Sequence, residues 1–535
     1  MRLDEQGLKD RAAWTEKGYQ VPEYDREKMI LATKEQPCWV HFGAGNIFKA
    51  FQANVVQELL NQGVLDRGLV AVSGHEAVER LNRPRDNYSI LVTLKANGTI
   101  EKTVVGSVAE SLTLDAGYEA DHLRLKEIFE KDSLQMASFT ITEKGYALKN
   151  GDGTMKAEVL EDFAKGPKAP VSYMGKIASL LYARFLAGAR PVAMVSMDNC
   201  SHNGTILKEA VTAYAKAWAE AGLAERAFLE YVQDENKVSF PWTMIDKICP
   251  RPDKTVEELL KKDDIDGLAP IISAKGTYIA PYVNAEESQY LVIADEFPNG
   301  RPALEKGGII FTDRATVEKV ERMKVCTCLN PLHTTLAVFG CLLGFEKIFQ
   351  EMQDPSLRTL VERIGYQEGL PVVTDPGILD PRDFLDTVVN VRIPNPFMPD
   401  TPQRIATDTS QKIPVRFGET IKEYIKSETL DVQDLKMIPL VFAAWLRYLM
   451  GVNDAGEKME LSGDPLLETL CPYAEKIRLG QQERVEDAVA PVLRMKNIFG
   501  VDLYEAGLAD IVCAYLQEMI AGPGAVRKTL DKYCG

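Results

Sequence analysis

The stretch Cys38-Trp-Val-His-Phe-Gly43-Ala44-Gly45-Asn46-Ile47-Phe48-Lys49-Ala50 constrains this chain most. It reads as an apolar strand, a Gly-x-Gly turn and a helix start, the opening of a nucleotide-binding βα unit. Gly43 permits the tight turn. Gly45 lets the backbone approach a pyrophosphate, whose charge then sits at a helix N-terminus. Phe48 stands where the usual fingerprint has its third glycine. On the motif alone, a plain strand-to-helix turn accounts for the stretch as well as a phosphate cradle does.

The surrounding pattern favours the cradle. Short apolar runs at Cys38–Phe42, Gly68–Ser73, Tyr88–Leu94, Leu134–Thr142 and Pro191–Ser196 predict strands of a mostly parallel sheet. Amphipathic stretches such as Ala50–Gln62 and Asp121–Lys131 predict the helices between them. Beyond about residue 300 the pattern changes, and Thr312–Met323, Leu332–Gln350, Pro355–Tyr366, Arg416–Lys426, Leu440–Met450 and Glu505–Ile520 read as helices. The loop Phe297-Pro-Asn-Gly-Arg-Pro302 marks the change. The expected architecture is α/β: a Rossmann-type NAD(P)-binding domain over residues 1–300, then a mostly α-helical substrate domain over residues 301–535.

Composition narrows the partners. A chain of 535 residues is too long for one ordinary core. Its net charge of −16 argues against a nucleic-acid binder, which needs a basic face. A small anionic substrate stays compatible, because a few local Arg or Lys side chains override a weak global field. The nine cysteines are scattered, with Cys326 and Cys328 the one close pair, as in a reduced cytoplasmic protein. Too few ligands accompany that pair for zinc, so no metal is expected. Nor does any uncharged apolar run approach the roughly 20 residues that span a bilayer, so no membrane is expected. A monomer or small homo-oligomer acting on a small molecule is the expectation.

The ribose partner is less sharply written. Leu69-Val-Ala-Val-Ser73-Gly-His-Glu76 ends its strand in serine, and Glu76 comes three residues late to bind a ribose hydroxyl. No arginine sits beside it to welcome a 2′-phosphate. NAD is the expected cofactor, with NADP left open.

Met323-Lys324-Val-Cys-Thr-Cys-Leu-Asn330-Pro331-Leu-His333 concentrates a base, an amide and an imidazole. A lysine can take a hydroxyl proton during oxidation and return it during reduction, and an amide can donate to an oxygen gaining negative charge. On a regular helix Lys324 and Asn330 would face about 120° apart. Pro331 suits the first turn of a new helix, with Asn330 as its N-cap, so the two can converge across a break. The bland alternative is a cap, a core histidine and a solvated lysine. Asp198-Asn199 follows a predicted strand, where α/β sheets place ligands, and Asn199 offers a second amide. Arg404 and Lys412 offer clamps for hydroxyls or a carboxylate, or else a surface network with Asp400 and Asp408.

Together these segments resemble the long-chain polyol dehydrogenases, the family of mannitol 2-dehydrogenase and fructuronate reductase. The likeness runs from Val21-Pro-Glu-Tyr-Asp25-Arg26 to about Pro414. Its carriers are the glycine turn with Phe48, Thr140-Ile-Thr142-Glu143-Lys144-Gly145-Tyr146, Asp198-Asn199 with Asn203-Gly204, Phe240-Pro-Trp-Thr-Met-Ile-Asp246-Lys247, and the spacing of Arg404 and Lys412. The resemblance implies a metal-independent, NAD(P)-linked oxidoreductase with Lys324 as acid/base and Asn199 and Asn330 as the oxyanion pair. It implies that Glu321 connects the lysine to solvent protons, and that His333, Arg404, Lys412 and Asp246 serve the substrate. Gly43, Gly45, Asn46, Phe48, Glu76, Glu143 and Lys144 fall to the cofactor. The chain departs from the family in a position difference of six, not five, from lysine to asparagine, and in Cys326-Thr-Cys328 and Pro331.

The expected reaction is reversible hydride transfer on a linear ketose or keto-uronate. D-fructuronate reduction to D-mannonate leads, because Arg404, Lys412 or Arg416 can hold a far-end carboxylate. Mannitol or arabinitol 2-dehydrogenase is the alternative enzyme, and an inactive sugar- or nucleotide-sensing protein the alternative class.

Overall fold

A computed structural model describes residues 1–535 except Ala116, Pro252, Asp253, Lys275 and residues 482–484. The chain divides into two compact units, Met1–Lys95 with Thr99–Glu318, and Lys319–Gly535 with Ala96–Gly98. The sequence change near residue 300 precedes that division by a short strand and the start of a helix.

The first unit is built on a six-stranded sheet of β1 (Trp39–Phe42), β2 (Leu69–Ser73), β3 (Val108–Thr113), β4 (Met136–Phe139), β5 (Val192–Ser196) and β6 (Val238–Ser239). Its spatial order is β3-β2-β1-β4-β5-β6, every pair parallel. That is the doubly wound dinucleotide-binding order, with its switch point between β1 and β4. Alternation sends Val40 and Phe42 into the core on one face and Trp39 into the core on the other. Helix α1 (Ala53–Asn61) contributes to the second core, while α2 (Glu119–Glu130), α3 (Tyr173–Leu186) and α4 (Asn203–Glu220) pack into the first. Both faces are covered, so the strands are nearly continuous in apolar residues.

One expected strand belongs elsewhere. Ser89–Leu94 pairs antiparallel with Ile100–Val105 and parallel with Tyr282–Glu286 in a separate four-stranded sheet. A tight connection, with Lys95 N–H donating to Thr99 O at 3.0 Å, makes the local hairpin available. An apolar run buried on both faces does not reveal which sheet it joins. A third sheet pairs Thr243–Asp246 with Tyr290–Ala294, and the latter with Ile310–Thr312.

The second unit is helical. Helix α5 (Arg314–Arg322) runs into it and opens into a wide π turn over Met323–Cys328, followed by α6 (Asn330–Leu343). Two short helices, α7 (Pro402–Ile405) and α8 (Thr409–Ile413), follow, the second continuing as a π turn over Pro414–Gly418. The core gathers around α6, α9 (Met437–Tyr448) and α10 (Ala509–Met519). All residues of α9 are buried, so it has no polar face. The helical run Arg314–Leu343 is long and apolar enough to cross a membrane by composition, but 83% of its most apolar window is buried inside the fold.

Candidate active site

The glycine turn lies at the C-terminal end of β1. Gly43 has φ +83°, and its N–H donates to Val72 O at 2.9 Å. A Cβ there would meet Thr140 O at 2.3 Å, so both conformation and space demand glycine. Gly45 is different. A Cβ there would meet only Gly43 O at 3.7 Å, so nothing in the fold itself crowds it. An open glycine beside a crowded one fits the close approach of a dinucleotide phosphate. Ser73, at the end of β2, donates to Ala44 O at 3.3 Å and steadies the turn.

The residues around this turn play different parts. Phe48 is 1% exposed, and its ring stacks on His41 at 4.4 Å between centroids. Its side chain is therefore packing, which leaves only its backbone for the expected cofactor contact. The carboxylate of Glu76 accepts from Ala274 N–H at 2.8 Å and pairs with Arg80 at 3.5 Å. Lys49, absent from the expected set, is buried with Nζ donating to Ala280 O at 3.0 Å, and burial pushes it down to about 8. Asn46, Glu143 and Lys144 are solvent-accessible, the last two in the short helix Glu143–Tyr146.

Asp198 organises the ends of β4 and β5. Its two oxygens accept from Ile141 N–H and Thr142 N–H, each at 2.9 Å, and Tyr146 donates to it at 2.6 Å. Burial raises this carboxyl above its ordinary value, and those three hydrogen bonds oppose the shift. Asn203 is fully buried and committed, its amide bonding Asp198 O, Thr243 O and Thr243 Oγ1 and accepting from Thr243 N–H. Asn199 contrasts with it: exposed, with no hydrogen bond among the described residues. Asn199, Glu143 and Asp246 line one cleft of about 300 Å³ with Ile47, Thr140 and Lys247. Lys247 was not foreseen, although it directly follows Asp246.

In the second unit the functional side chains gather at the start of α6. Lys324 is 4% exposed, on the π turn, where Leu329 N–H reaches back five residues to Lys324 O at 3.1 Å. A π turn holds one more residue than an α turn, so it absorbs the extra position between Lys324 and Asn330. Glu321 lies one turn earlier on α5. Asn330 is not the N-cap expected of it. The chain bends at Leu329 (φ −128°, ψ −59°), and Asn330 is itself the first helical residue, with Pro331 in the first turn. Its amide is thereby spared from capping and makes no hydrogen bond among the described residues.

His333 sits one turn along α6. Burial pushes its imidazole down to about 4; Asp400 opposes this, and Arg416, Arg392 and Arg404 add to it. Arg404 is ion-paired with Asp400, its side chain 64% exposed. Lys412 on α8 donates to Ile405 O at 3.0 Å and to Thr407 O, and burial pushes it down to about 8. Arg416 on the following π turn donates from Nη1 to Thr334 Oγ1 at 2.5 Å and Asn330 O at 3.3 Å. Among the described residues no group of three His, Cys, Asp or Glu side chains is arranged to hold a metal ion.

Two family models cover nearly the whole chain. The mannitol dehydrogenase Rossmann domain matches residues 38–306, and the mannitol dehydrogenase C-terminal domain matches residues 316–520. The chain belongs to the mannitol dehydrogenase family. It is 51% identical to the D-mannonate oxidoreductase of Thermotoga maritima over 539 aligned positions, covering 100% of this chain and 99% of that relative. Among solved structures it is similar to Pseudomonas fluorescens mannitol 2-dehydrogenase in ternary complex with NAD and D-mannitol, at TM-score 0.68 and 25% identity over 100% and 99% of the two chains. It is also similar in fold to a substrate-free D-sorbitol dehydrogenase, at TM-score 0.81 and 24% identity over 98% and 99%. Membership makes the protein an oxidoreductase of the polyol dehydrogenase class with a dinucleotide-binding domain, as the residues imply.

Proposed function

We propose that this protein is an NAD(H)-linked, metal-independent enzyme that interconverts D-fructuronate and D-mannonate. The observation that carries the reading is an uncommitted amide, that of Asn330, following a buried amine, that of Lys324, across one wide turn. Full-length similarity to a D-mannonate oxidoreductase supports the substrate pair. Similarity to a mannitol 2-dehydrogenase solved with NAD supports the cofactor.

Gly43, Gly45 and Asn46 would hold the dinucleotide at its pyrophosphate, with Glu76, Glu143 and Lys144 beside its remaining parts. When bound, the nicotinamide supplies hydride for reduction and accepts it in oxidation. Lys324, protonated, gives its proton to the oxygen formed from the ketone; neutral, it removes the proton of the substrate hydroxyl in the reverse direction. Asn330 and Asn199 each donate a hydrogen bond to that oxygen as charge develops on it. Glu321 passes protons between Lys324 and solvent. His333, held neutral near pH 7 by its depressed pKa, serves as a hydrogen-bond partner for a substrate hydroxyl. Arg404, Lys412 and Asp246 bind the polyhydroxy chain, whose hydroxyls need partners once buried.

The test is NADH consumption by purified protein with D-fructuronate, D-tagaturonate and D-fructose in parallel, repeated with NADPH. Strong preference for D-fructuronate with NADH is expected. Preference for D-fructose would move the protein to the neutral polyol branch, and NADPH preference would overturn the cofactor assignment.

A further inference from the structure

Arg404, Lys412 and Arg416 are the cations expected to hold a substrate carboxylate, and the fold treats them differently. Arg404 already has an anion, Asp400, and is mostly in solvent. Lys412 spends two of its three donors on the carbonyls of Ile405 and Thr407. Arg416 is half-buried, and both of its hydrogen bonds leave from one nitrogen, Nη1, to the neutral acceptors Thr334 Oγ1 and Asn330 O. Its Nε and Nη2 donate to no described group, and no carboxylate lies within ion-pair distance of it among the described residues.

The two fully buried arginines Arg184 and Arg447 spend more of their donors on the fold. Arg184 gives five hydrogen bonds, to the carbonyls of Phe129, Lys131, Leu134, Arg190 and Pro191. Arg447 donates to Val452 O and Asn453 O and has Asp454 nearby to favour its charge. At Arg416 burial acts unopposed and pushes the guanidinium down to about 10. A covered cation with unused fork donors and no counter-ion is costly unless an anion arrives. Planar bidentate recognition of a carboxylate is the task for which arginine is better suited than lysine.

We infer that Arg416 is the residue that pairs with the far-end carboxylate of the keto-uronate and so sets preference for an acidic over a neutral ketose. This rests on the proposed keto-uronate reaction. The location is apt: Asn330 O and Thr334 Oγ1 anchor the guanidinium to the first turn of α6, the turn that carries Asn330 and His333. The two anchoring bonds fix the plane of the fork and leave its other edge for the ligand.

The experiment uses full-length R416Q and R416K with saturating NADH, comparing D-fructuronate with D-fructose. For R416Q, kcat/KM for D-fructuronate is expected to fall at least about 100-fold, through KM, against about 10-fold or less for D-fructose. R416K, which keeps the charge but loses the fork, is expected to narrow the preference by about 10-fold. Equal losses for both substrates would overturn the inference and make Arg416 a residue that only steadies Asn330. A raised KM for NADH with an unchanged substrate preference would overturn it in favour of a cofactor phosphate. Should R416Q fail to fold, R416K decides alone, and an unshifted ratio there overturns the proposal. A wild-type enzyme that never reduces D-fructuronate would instead remove the underlying reaction, a failure visible before any variant is made.

Discussion

Asp198 holds the backbone of Thr142 through a 2.9 Å hydrogen bond in a conformation that threonine rarely adopts, φ 64° and ψ 160°. The same carboxylate takes Ile141 N–H at 2.9 Å, so one side chain fixes the turn after β4 from the end of β5. Backbone strain of this kind costs about 1–3 kcal/mol and persists only where its surroundings over-determine it. D198N replaces one acceptor oxygen with a donor, and should lower stability by about 1–3 kcal/mol and weaken dinucleotide binding. Adding T142G should recover part of both losses, because glycine adopts this conformation readily. Calorimetry and cofactor titration check this. A double variant no better than D198N would mean that the turn is not strained.

Lys324 is predicted to supply proton transfer, which is typically worth about 10²–10⁴-fold in rate. K324A should lose that factor in kcat while binding cofactor normally. Near-wild-type turnover would remove the lysine from its role. N330A should cost about 10²–10³-fold, chiefly in kcat, as loss of a donor to a developing oxyanion does.

His41 is fully buried between Ser138 and Thr140, and burial pushes its pKa from 6.5 to about 3. Unfolding exposes an imidazole that binds a proton the folded state refuses, so stability contributed here is lost as pH falls from about 6.5 towards 3. The stability of wild type relative to H41Q is therefore expected to shrink with acidification. A difference constant from pH 7.5 to 4.5, measured by chemical denaturation, would contradict this.

Glu351 runs the other way. It is completely buried, neither of its oxygens has a hydrogen-bond partner among the described residues, and burial raises its pKa well above 4.5. The folded state keeps it protonated, so stability falls as pH rises above the unfolded value of about 4.5. E351Q cannot ionise and is expected to gain on wild type progressively between pH 4.5 and 8. Parallel stability curves over that range would exclude Glu351 as the titrating group.

Much of the nucleotide half was legible because its signals are local. Strand alternation and the Gly-x-Gly turn are written in neighbours a few residues apart, whereas the crowding of Gly43 by Thr140 O is tertiary. The strand Ser89–Leu94 was misassigned to the parallel sheet because an apolar run carries no label for its partner. The packing role of the Phe48 ring was not legible, because its stacking partner His41 is set by the fold. The expectation of an N-cap at Asn330 assumed that a helix followed by Pro331 must start after the asparagine, while the bend falls one residue earlier.

The sequence by itself determined the dinucleotide-binding first unit, the helical second unit and the family, and it singled out Lys324, Asn199 and Asn330 as candidates, from pattern and residue chemistry. Tertiary structure alone decided which polar groups are already satisfied. Asn203 is consumed by Thr243, and Asn199 is not. Arg404 is neutralised by Asp400, while Arg416 is set against the carbonyl of a residue 86 positions away with no anion beside it among the described residues. Charge and hydrogen-bond satisfaction depend on distances between groups remote along the chain, and those distances exist only once the chain has folded.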